Sequence, residues 1–357
     1  MDTHGGLGEL NGSYWMTDPP MISVIIPCRN ERKCISVCLD SVVANTYPKD
    51  KLEVLVIDGM SEDGTRDILR TYTDRFNFVR MLENPKRQIP NALNIGIAHA
   101  KGDIVVRLDA HARYDVQYLA KSVEHLQDSS ADNVGGVRKT EPQENTIIGK
   151  AIAYSVSSPF TAGDAYFRVG SSRPRWVDTV FGGCFRKEVF TRVGVFNEAL
   201  ERAEDKEFNQ RLRASGGKIL LSPDIQCIYY ARSKPFEFIR WMLVDGSWPF
   251  FASRVAHRSI FSFRNFVPLA FLLSLVVSFT AAWFEPLFWW VFAGIVSVYG
   301  LACIASAVPL AWKERDLRYL LVGPLVFAST HIMYGIGSIY GIYKPIAHKP
   351  PATPVYQ

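Results

Sequence analysis

The chain predicts an α/β protein: a mostly parallel sheet with helices on both faces, followed by apolar C-terminal segments of membrane-spanning length. Two observations carry the sheet. Short apolar runs rich in β-branched residues, Met21–Pro27 and Val54–Ile57, each stop at polar residues, Arg29-Asn30-Glu31 and Asp58. Between and after them, the stretches around Lys33–Ala44 and Thr65–Phe76 carry helical patterning. Alternation of this kind reads as a parallel sheet buried on both faces. The third observation concerns the other end. Phe266–Phe284 and Leu287–Leu310 contain no charged residue, and each is close to the ~20 residues that cross a bilayer core.

Taken in order, residues 1–20 are polar and Gly-rich without an apolar signal core, and read as a flexible leader. Residues 21–234 form the sheet domain. Its strand ends carry polar groups on one rim: Arg29-Asn30-Glu31, Asp58-Gly59 and Asp109-Ala110-His111. Ser61-Glu62-Asp63-Gly64-Thr65 reads as a turn and a helix cap. Residues i and i+2 of a strand point to the same side. Asp109 and His111 therefore face one cation together if the strand edge continues past Leu108. Carboxylate plus imidazole suits Mn²⁺ or Mg²⁺, and the carboxyl ends of strands in such a sheet are where a nucleotide diphosphate is held. Arg87, just before the next helix, either meets a phosphate or is simply solvated. Trp176–Phe185 reads as a strand and a Gly-Gly turn, Arg186–Val193 as a helix. Glu204-Asp205 then open a helix over Lys206–Ala214, with Phe208 and Leu212 on one face; acids at that position also complement the helix dipole.

Residues 235–265 form the next unit. Phe236, Phe238, Trp241, Trp248, Phe250 and Phe251 oppose Glu237, Arg240 and Ser247, which predicts an amphipathic helix at a membrane interface. A boundary after Lys234 leaves the sheet and both acidic sites whole, so the first 234 residues are expected to fold alone. Residues 266–343 are the transmembrane region of about three segments. The third, Tyr319–Tyr343, contains Gly323, Pro324, Gly335, Gly337 and Gly341, meaning either close helix packing or a re-entrant segment. Residues 344–357 are a tail. Arg254, Arg258 and Arg264 precede the first segment, and Lys313, Arg315 and Arg318 separate the second from the third. The positive-inside rule puts the sheet domain and that loop in the cytoplasm. Three crossings then leave Lys344 and Lys349 outside, a conflict that re-entry removes. The net charge of +5, with 48% hydrophobic and 21% charged residues, suits a protein lying on anionic membrane lipids. Nucleic acid is excluded as a partner, since no basic run interleaved with aromatics occurs. The six cysteines include no C-x-x-C pair and are expected reduced; Cys34 and Cys38, four apart, read as packing.

Several runs of residues carry a family resemblance. Ser23-Val24-Ile25-Ile26-Pro27 with Asn30-Glu31, then Ile57–Thr65, resembles the opening of an inverting family 2 glycosyltransferase with the GT-A fold. Arg87–Ile97 followed by Arg107–His111 is similar to the membrane-bound glucosyltransferases of succinoglycan assembly. Ser157–Phe160, Trp176–Phe181 and Glu204–Leu212 match further, so the resemblance covers about residues 21 to 265. It implies that Pro27 and Glu31 border a uridine, and that Asp58 accepts hydrogen bonds from uracil or ribose. Asp58 acts alone, because the family's second Asp is here Gly59. Arg87 is the candidate phosphate contact, and Asp109 with His111 holds the cation on the diphosphate. His111 departs from the usual Asp-x-Asp. No histidine follows in Ile228–Arg232, so water or diphosphate completes the shell. Asp205 is implied as the general base of an inverting transfer, with Glu204 orienting acceptor or base. Glu237–Trp241 also resembles a Gln-x-x-Arg-Trp motif of processive synthases, with Arg240 near a phosphate.

The implied activity moves a hexose, glucose by resemblance, from a UDP-sugar to a polyprenyl-diphosphate-linked saccharide. Its place is the cytoplasmic face of the inner membrane, in exopolysaccharide or related glycan assembly. Two alternatives stand beside it: a processive β-glycan synthase, which needs a channel, and an inactive nucleotide-binding scaffold. Oligomeric state is not legible.

Overall fold

The computed structural model describes residues 18–346. Most of the expected leader and of the tail, Lys349 included, lie outside the described residues. The chain runs β1 (Ile22–Cys28), α1 (Ile35–Val43), β2 (Leu52–Asp58), α2 (Thr65–Arg75), β3 (Val79–Glu83), α3 (Ile89–His99), β4 (Ile104–Arg107), β5 (Ala112–Tyr114) and α4 (Tyr118–Asp128). It continues through β6 (Asn133–Pro142), α5 (Ile147–Ser155), α6 (Pro159–Ala162), α7 (Tyr166–Val169), β7 (Arg175–Trp176), β8 (Phe181–Arg186), α8 (Glu188–Val193), α9 (Glu204–Ala214) and β9 (Ile219–Ala231). Four long helices end it: α10 (Pro235–Val255), α11 (Phe266–Ala281), α12 (Leu287–Glu314) and α13 (Tyr319–Tyr343).

All nine strands join one sheet in the order β3-β2-β1-β4-β8-β6-β9-β5, with β7 on the flank of β9. The first four strands are parallel. Beyond β4 the sheet is mixed: β8 enters antiparallel to both β4 and β6, while β6 and β9 are parallel. Alternation along each parallel strand feeds two cores. Ile22, Val24, Ile26, Val54, Val56 and Val106 pack under α1, α2 and α4. Ile25, Leu55, Ile57, Val105 and Phe185 pack under α3, α8 and α9, where Phe208 and Leu212 enter. Burial of each such side chain is worth about 1.5–3 kcal/mol. The edge strand β3 escaped the sequence reading: only Val79 is buried in it, and Arg80 and Glu83 interrupt the apolar pattern.

Three sequence expectations need correction. Gly182-Gly183 is no turn but lies inside β8, at φ +70 and +139. A Cβ at Gly182 would stand 2.8 Å from the Arg107 carbonyl oxygen, so the glycines let β8 close on the end of β4. The helix after Lys234 exists, yet it does not lay its aromatic face on a bilayer surface. Phe238, Trp241, Met242, Trp248, Phe250 and Phe251 are all buried within the protein, and Phe236 is its exposed aromatic. The boundary after Lys234 separates no cores either. Ala151, Ile152 and Val156 of α5 share one cluster with Phe238, Trp241 and Met242 of α10 and with Tyr319 and Val326 of α13.

Helices α11, α12 and α13 are each long and apolar enough to cross a membrane. The re-entrant reading of the third fails, because α13 runs unbroken through Pro324. Its glycines serve backbone contact instead. A Cβ at Gly337 would lie 2.1 Å from the Leu243 carbonyl oxygen, one at Gly341 2.1 Å from that of Ser247, and one at Gly246 2.1 Å from that of Tyr334. Small residues of this kind let helix backbones touch, and here they fasten α13 to α10. Ser155 Oγ and Thr330 Oγ1, 3.1 Å apart, tie the same helix to α5.

Gly337→Val should force α10 and α13 apart. Overpacking of a tight contact costs about 1–3 kcal/mol, so thermal unfolding in detergent should show a clear drop in Tm. Gly294→Ala, a helical glycine with open space around it, should leave Tm unchanged.

Candidate active site

The rim at the carboxyl ends of β1, β2 and β3 is stitched together loop to loop. The Asn30 N–H donates to Ser61 Oγ at 2.9 Å, Glu62 N–H to Asn30 Oδ1 at 3.0 Å, and Glu31 N–H to Thr65 Oγ1 at 2.9 Å. Asp63 caps the same turn, accepting from Thr65 N–H at 3.0 Å and from Arg32 N–H at 3.2 Å. Asn30, Met60 and Arg87, one in each of the three loops, hold positive φ of 55, 58 and 60°. Such conformations cost non-glycine residues free energy and gather where a site must be held in shape. Gly59 stands where a Cβ would meet the Arg29 side chain at 3.1 Å.

Of the residues expected along the donor side, Pro27 lies in β1 beside Ile57, and Glu31 reaches His111. Arg87 is on the rim, 3.5 Å from Glu62, with its side chain 45% exposed. Asp58 departs from expectation. It is fully buried, accepts the Ser61 N–H at 3.2–3.3 Å, and faces Arg66 Nε at 3.4 Å. As folded here it braces the loop that would receive a base rather than standing open to one.

The cation-binding pair is reached by a turn. β4 stops at Arg107, so the expected continuation past Leu108 does not occur. Tyr114 Oη accepts the Asp109 N–H at 2.6 Å and donates to the Asp109 carbonyl at 3.1 Å, clamping the peptide as the chain turns back into β5. The Asp109 carboxylate stays 21% exposed. His111 Nδ1 lies 3.2 Å from Glu31 Oε1. Burial opposes charge on that imidazole, but the bond to Glu31 and the nearby Asp109 outweigh it and lift its pKa above the usual value. Among the described residues no group of three or more His, Cys, Asp or Glu side chains is assembled to enclose a metal. One carboxylate and one imidazole on an open rim do fit a divalent cation whose remaining positions come from ligand and water.

Arg107 is the residue that the sequence reading passed over. Its Nη2 is 2.9 Å from Glu204 Oε1 and 3.7 Å from Asp109 Oδ1. One guanidinium therefore joins the end of β4 to the start of α9. Burial works against its charge, yet Glu204, Asp109 and Asp205 together hold it protonated beyond the ordinary arginine. Glu204 is buried, which raises its pKa to about 7; Arg107 pulls it down, and Asp205 and Asp109 push it further up. Asp205 is half-buried, with Oδ1 accepting the Lys206 N–H at 2.8 Å. Ala203, at φ 62, turns the chain into α9 so that both acids face the rim. The signal available in sequence was the Arg107-x-Asp109 spacing alone. Arg240 is exposed on α10. Beside Lys206 opens a cavity of about 770 Å³, lined by Tyr166, Trp176, Asp178, Gln210 and Arg264 among others. Asp178 there accepts from Ser262 Oγ at 2.6 Å and Arg264 Nη2 at 2.8 Å.

Comparison with known proteins agrees with this arrangement. Residues 23–194 match the model of Glycosyl transferase family 2. Among curated relatives, a dolichyl N-acetyl-α-D-glucosaminyl phosphate 3-β-D-2,3-diacetamido-2,3-dideoxy-β-D-glucuronosyltransferase of Methanococcus voltae is 26% identical over 90% of this chain and 97% of its own. The succinoglycan biosynthesis protein ExoA of Rhizobium meliloti is 28% identical over 87% of this chain and 91% of its own. Among solved structures, the mannosyltransferase PcManGT of Pyrobaculum calidifontis, in complex with GDP-Man and Mn²⁺, superposes with TM-score 0.57 at 21% identity, covering 92% of this chain and 88% of that one. At that identity the likeness establishes the fold, GT-A. The family match includes Asp109 and His111 and ends before Glu204-Asp205, so the second half of the site rests on this chain's own geometry.

Arg107→Met should leave the buried Glu204 and the partly exposed Asp109 without their cation. Breaking such a group costs about 3–5 kcal/mol, visible as a large fall in Tm. The double variant Arg107→Met/Glu204→Gln should recover part of that loss, and strict additivity of the two changes would show that they do not share the interaction.

Proposed function

We propose that this chain is an inverting hexosyltransferase. It moves a hexose, glucose on the resemblance, from a UDP-sugar to a saccharide carried on a polyprenyl diphosphate. The reaction would take place at the cytoplasmic face of the inner membrane, in exopolysaccharide or related glycan assembly. The observation that carries this reading is the Arg107 bridge, which sets the cation-binding rim and the α9 acids side by side. Support for a lipid-linked acceptor comes from the names of the relatives and from the three apolar helices, of which α13 packs on α5 and α10. The basic clusters around α11 and α12 favour the cytoplasmic orientation.

In this mechanism Asp109 and His111 hold Mn²⁺ or Mg²⁺, which supplies positive charge against the leaving nucleoside diphosphate. Pro27, Glu31 and Arg87 line the donor side, and Asp58 keeps the second loop in place. Asp205 takes the proton from the attacking hydroxyl, on the face of the sugar opposite the leaving group. It suits that role better than Glu204 because Glu204 is sealed against Arg107, whereas Asp205 keeps an open edge. Glu204 and Arg107 together hold the start of α9, and so Asp205, at its working distance. The cavity beside Lys206 is the place for the acceptor saccharide, with Trp176 (55% exposed) offering a face for a sugar ring.

Removal of a general base costs about 10²–10⁴-fold in rate. Asp205→Asn should lower turnover by that much while UDP affinity changes little, and Glu204→Gln should cost less. The product from an α-linked donor should be β, readable from its anomeric proton coupling; an α product would overturn the inverting assignment. Turnover should also need a divalent cation. Asp109→Ala should lose nearly all of it, and His111→Asp should keep part with preference moved toward Mg²⁺. Full activity in excess chelator would remove the cation from the mechanism.

A further inference from the structure

Arg138, on β6, has only 5% of its surface exposed, and neither Nε nor Nη2 has a hydrogen-bond partner. No carboxylate stands within ion-pairing distance of it among the described residues. Aromatic rings hold it instead: its guanidinium carbon is 4.2 Å from the Tyr229 ring centre, 5.4 Å from Phe181 and 5.5 Å from Phe167. Cation–π contacts of this kind give about 0.5–2 kcal/mol, well short of replacing lost hydration. Arg168, on α7, lies against the same Phe167 ring at 5.4 Å. Its Nε is also unpartnered, and its nearest acid is Asp245 of α10, at 3.9 Å. Thr140, two residues beyond Arg138 on the same side of β6, adds a fourth buried polar atom without a partner, Oγ1. Burial, reinforced by Arg168, brings the Arg138 pKa down to about 10. Two guanidiniums thus lie against the Phe167 ring with hydrogen-bond donors idle.

A cluster of this form suits an anion. We infer that Arg138, Thr140 and Arg168 form a phosphate cradle that holds the diphosphate of the lipid-linked acceptor. The inference rests on the function proposed above. Idle N–H groups in forked guanidiniums match phosphate oxygens, and such charge-assisted bonds are the strong ones. Position selects the acceptor over the donor. The cradle lies between Tyr229, whose ring meets that of His111 at 5.2 Å, and α10, which supplies Asp245 and packs on the membrane-length helix α13. A carrier diphosphate seated here leaves its attached saccharide facing the base. The donor diphosphate has its own place at Asp109, His111 and the loops after β1 to β3.

The test uses the full-length protein in detergent, with geranylgeranyl diphosphate as the probe. With UDP and Mn²⁺ already saturating, the probe should still bind, and inorganic diphosphate should compete with it. Arg138→Gln and Arg168→Gln should each weaken probe binding at least tenfold with UDP affinity within twofold, which also verifies folding; Arg138→Lys should recover part of the loss. Displacement of UDP by the probe, or loss of UDP affinity in the glutamine variants with probe binding intact, would place these arginines on the donor and overturn the cradle. So would unchanged probe binding in both variants. Should the wild type bind the probe through Arg138 yet transfer sugar to no lipid-linked acceptor, the cradle stands and the proposed function falls. If it transfers sugar while Arg138→Gln leaves the acceptor KM unchanged, the reverse holds.

Discussion

One buried guanidinium sets the terms for the rest of the site. Arg107 closes β4 and holds Glu204 at 2.9 Å, with Asp109 at 3.7 Å and Asp205 within electrostatic reach. Three acids in so small a volume repel one another and resist burial. The Arg107 cation makes their gathering tolerable, and it also decides which acid is free to act. Glu204 is consumed in the pair; Asp205 is not. Because Arg107 and Glu204 come from elements nearly a hundred residues apart, their bond is also what brings α9 against the carboxyl end of β4.

Around that bond the fold spends conformational free energy in consistent places. Asn30, Met60, Arg87 and Ala203 all hold left-handed backbone at the rim, and each is supported by loop-to-loop hydrogen bonds or by the start of a helix. Asp58 belongs to this scaffold: buried between the Ser61 N–H and Arg66, it keeps the second loop where a nucleotide would lie. Arg138, like Arg107, leaves guanidinium donors unspent, but Arg107 is paired with Glu204 whereas no carboxylate lies within ion-pairing distance of Arg138 among the described residues.

The membrane-length helices are not an appended anchor. α13 touches α10 backbone to backbone through Gly246, Gly337 and Gly341 and packs on α5 of the catalytic part. The helix α5 and the end of β9 therefore share a core with the apolar helices, which fixes how the rim stands relative to them. An acceptor with a lipid tail and a sugar head would need that fixed relation.

Much of this was legible in the sequence. Short apolar runs rich in β-branched residues located β1, β2 and β4, because a strand buried on both faces has to be apolar along its whole length. The cation pair, the acids opening α9 and the three apolar segments were visible for equally local reasons: spacing, helix-start chemistry and bilayer-scale length. β3 was not visible, since an edge strand with one buried residue has no pattern to show. Nor were the turn at Leu108, the enclosure of the α10 aromatics and the sealing of Asp58, each of which depends on what packs against the segment. The partners of Arg107 and the idleness of Arg138 lie furthest from sequence. Whether a charged side chain is paired, strained or waiting for a ligand depends on groups distant along the chain and near in space, and tertiary structure alone decides that.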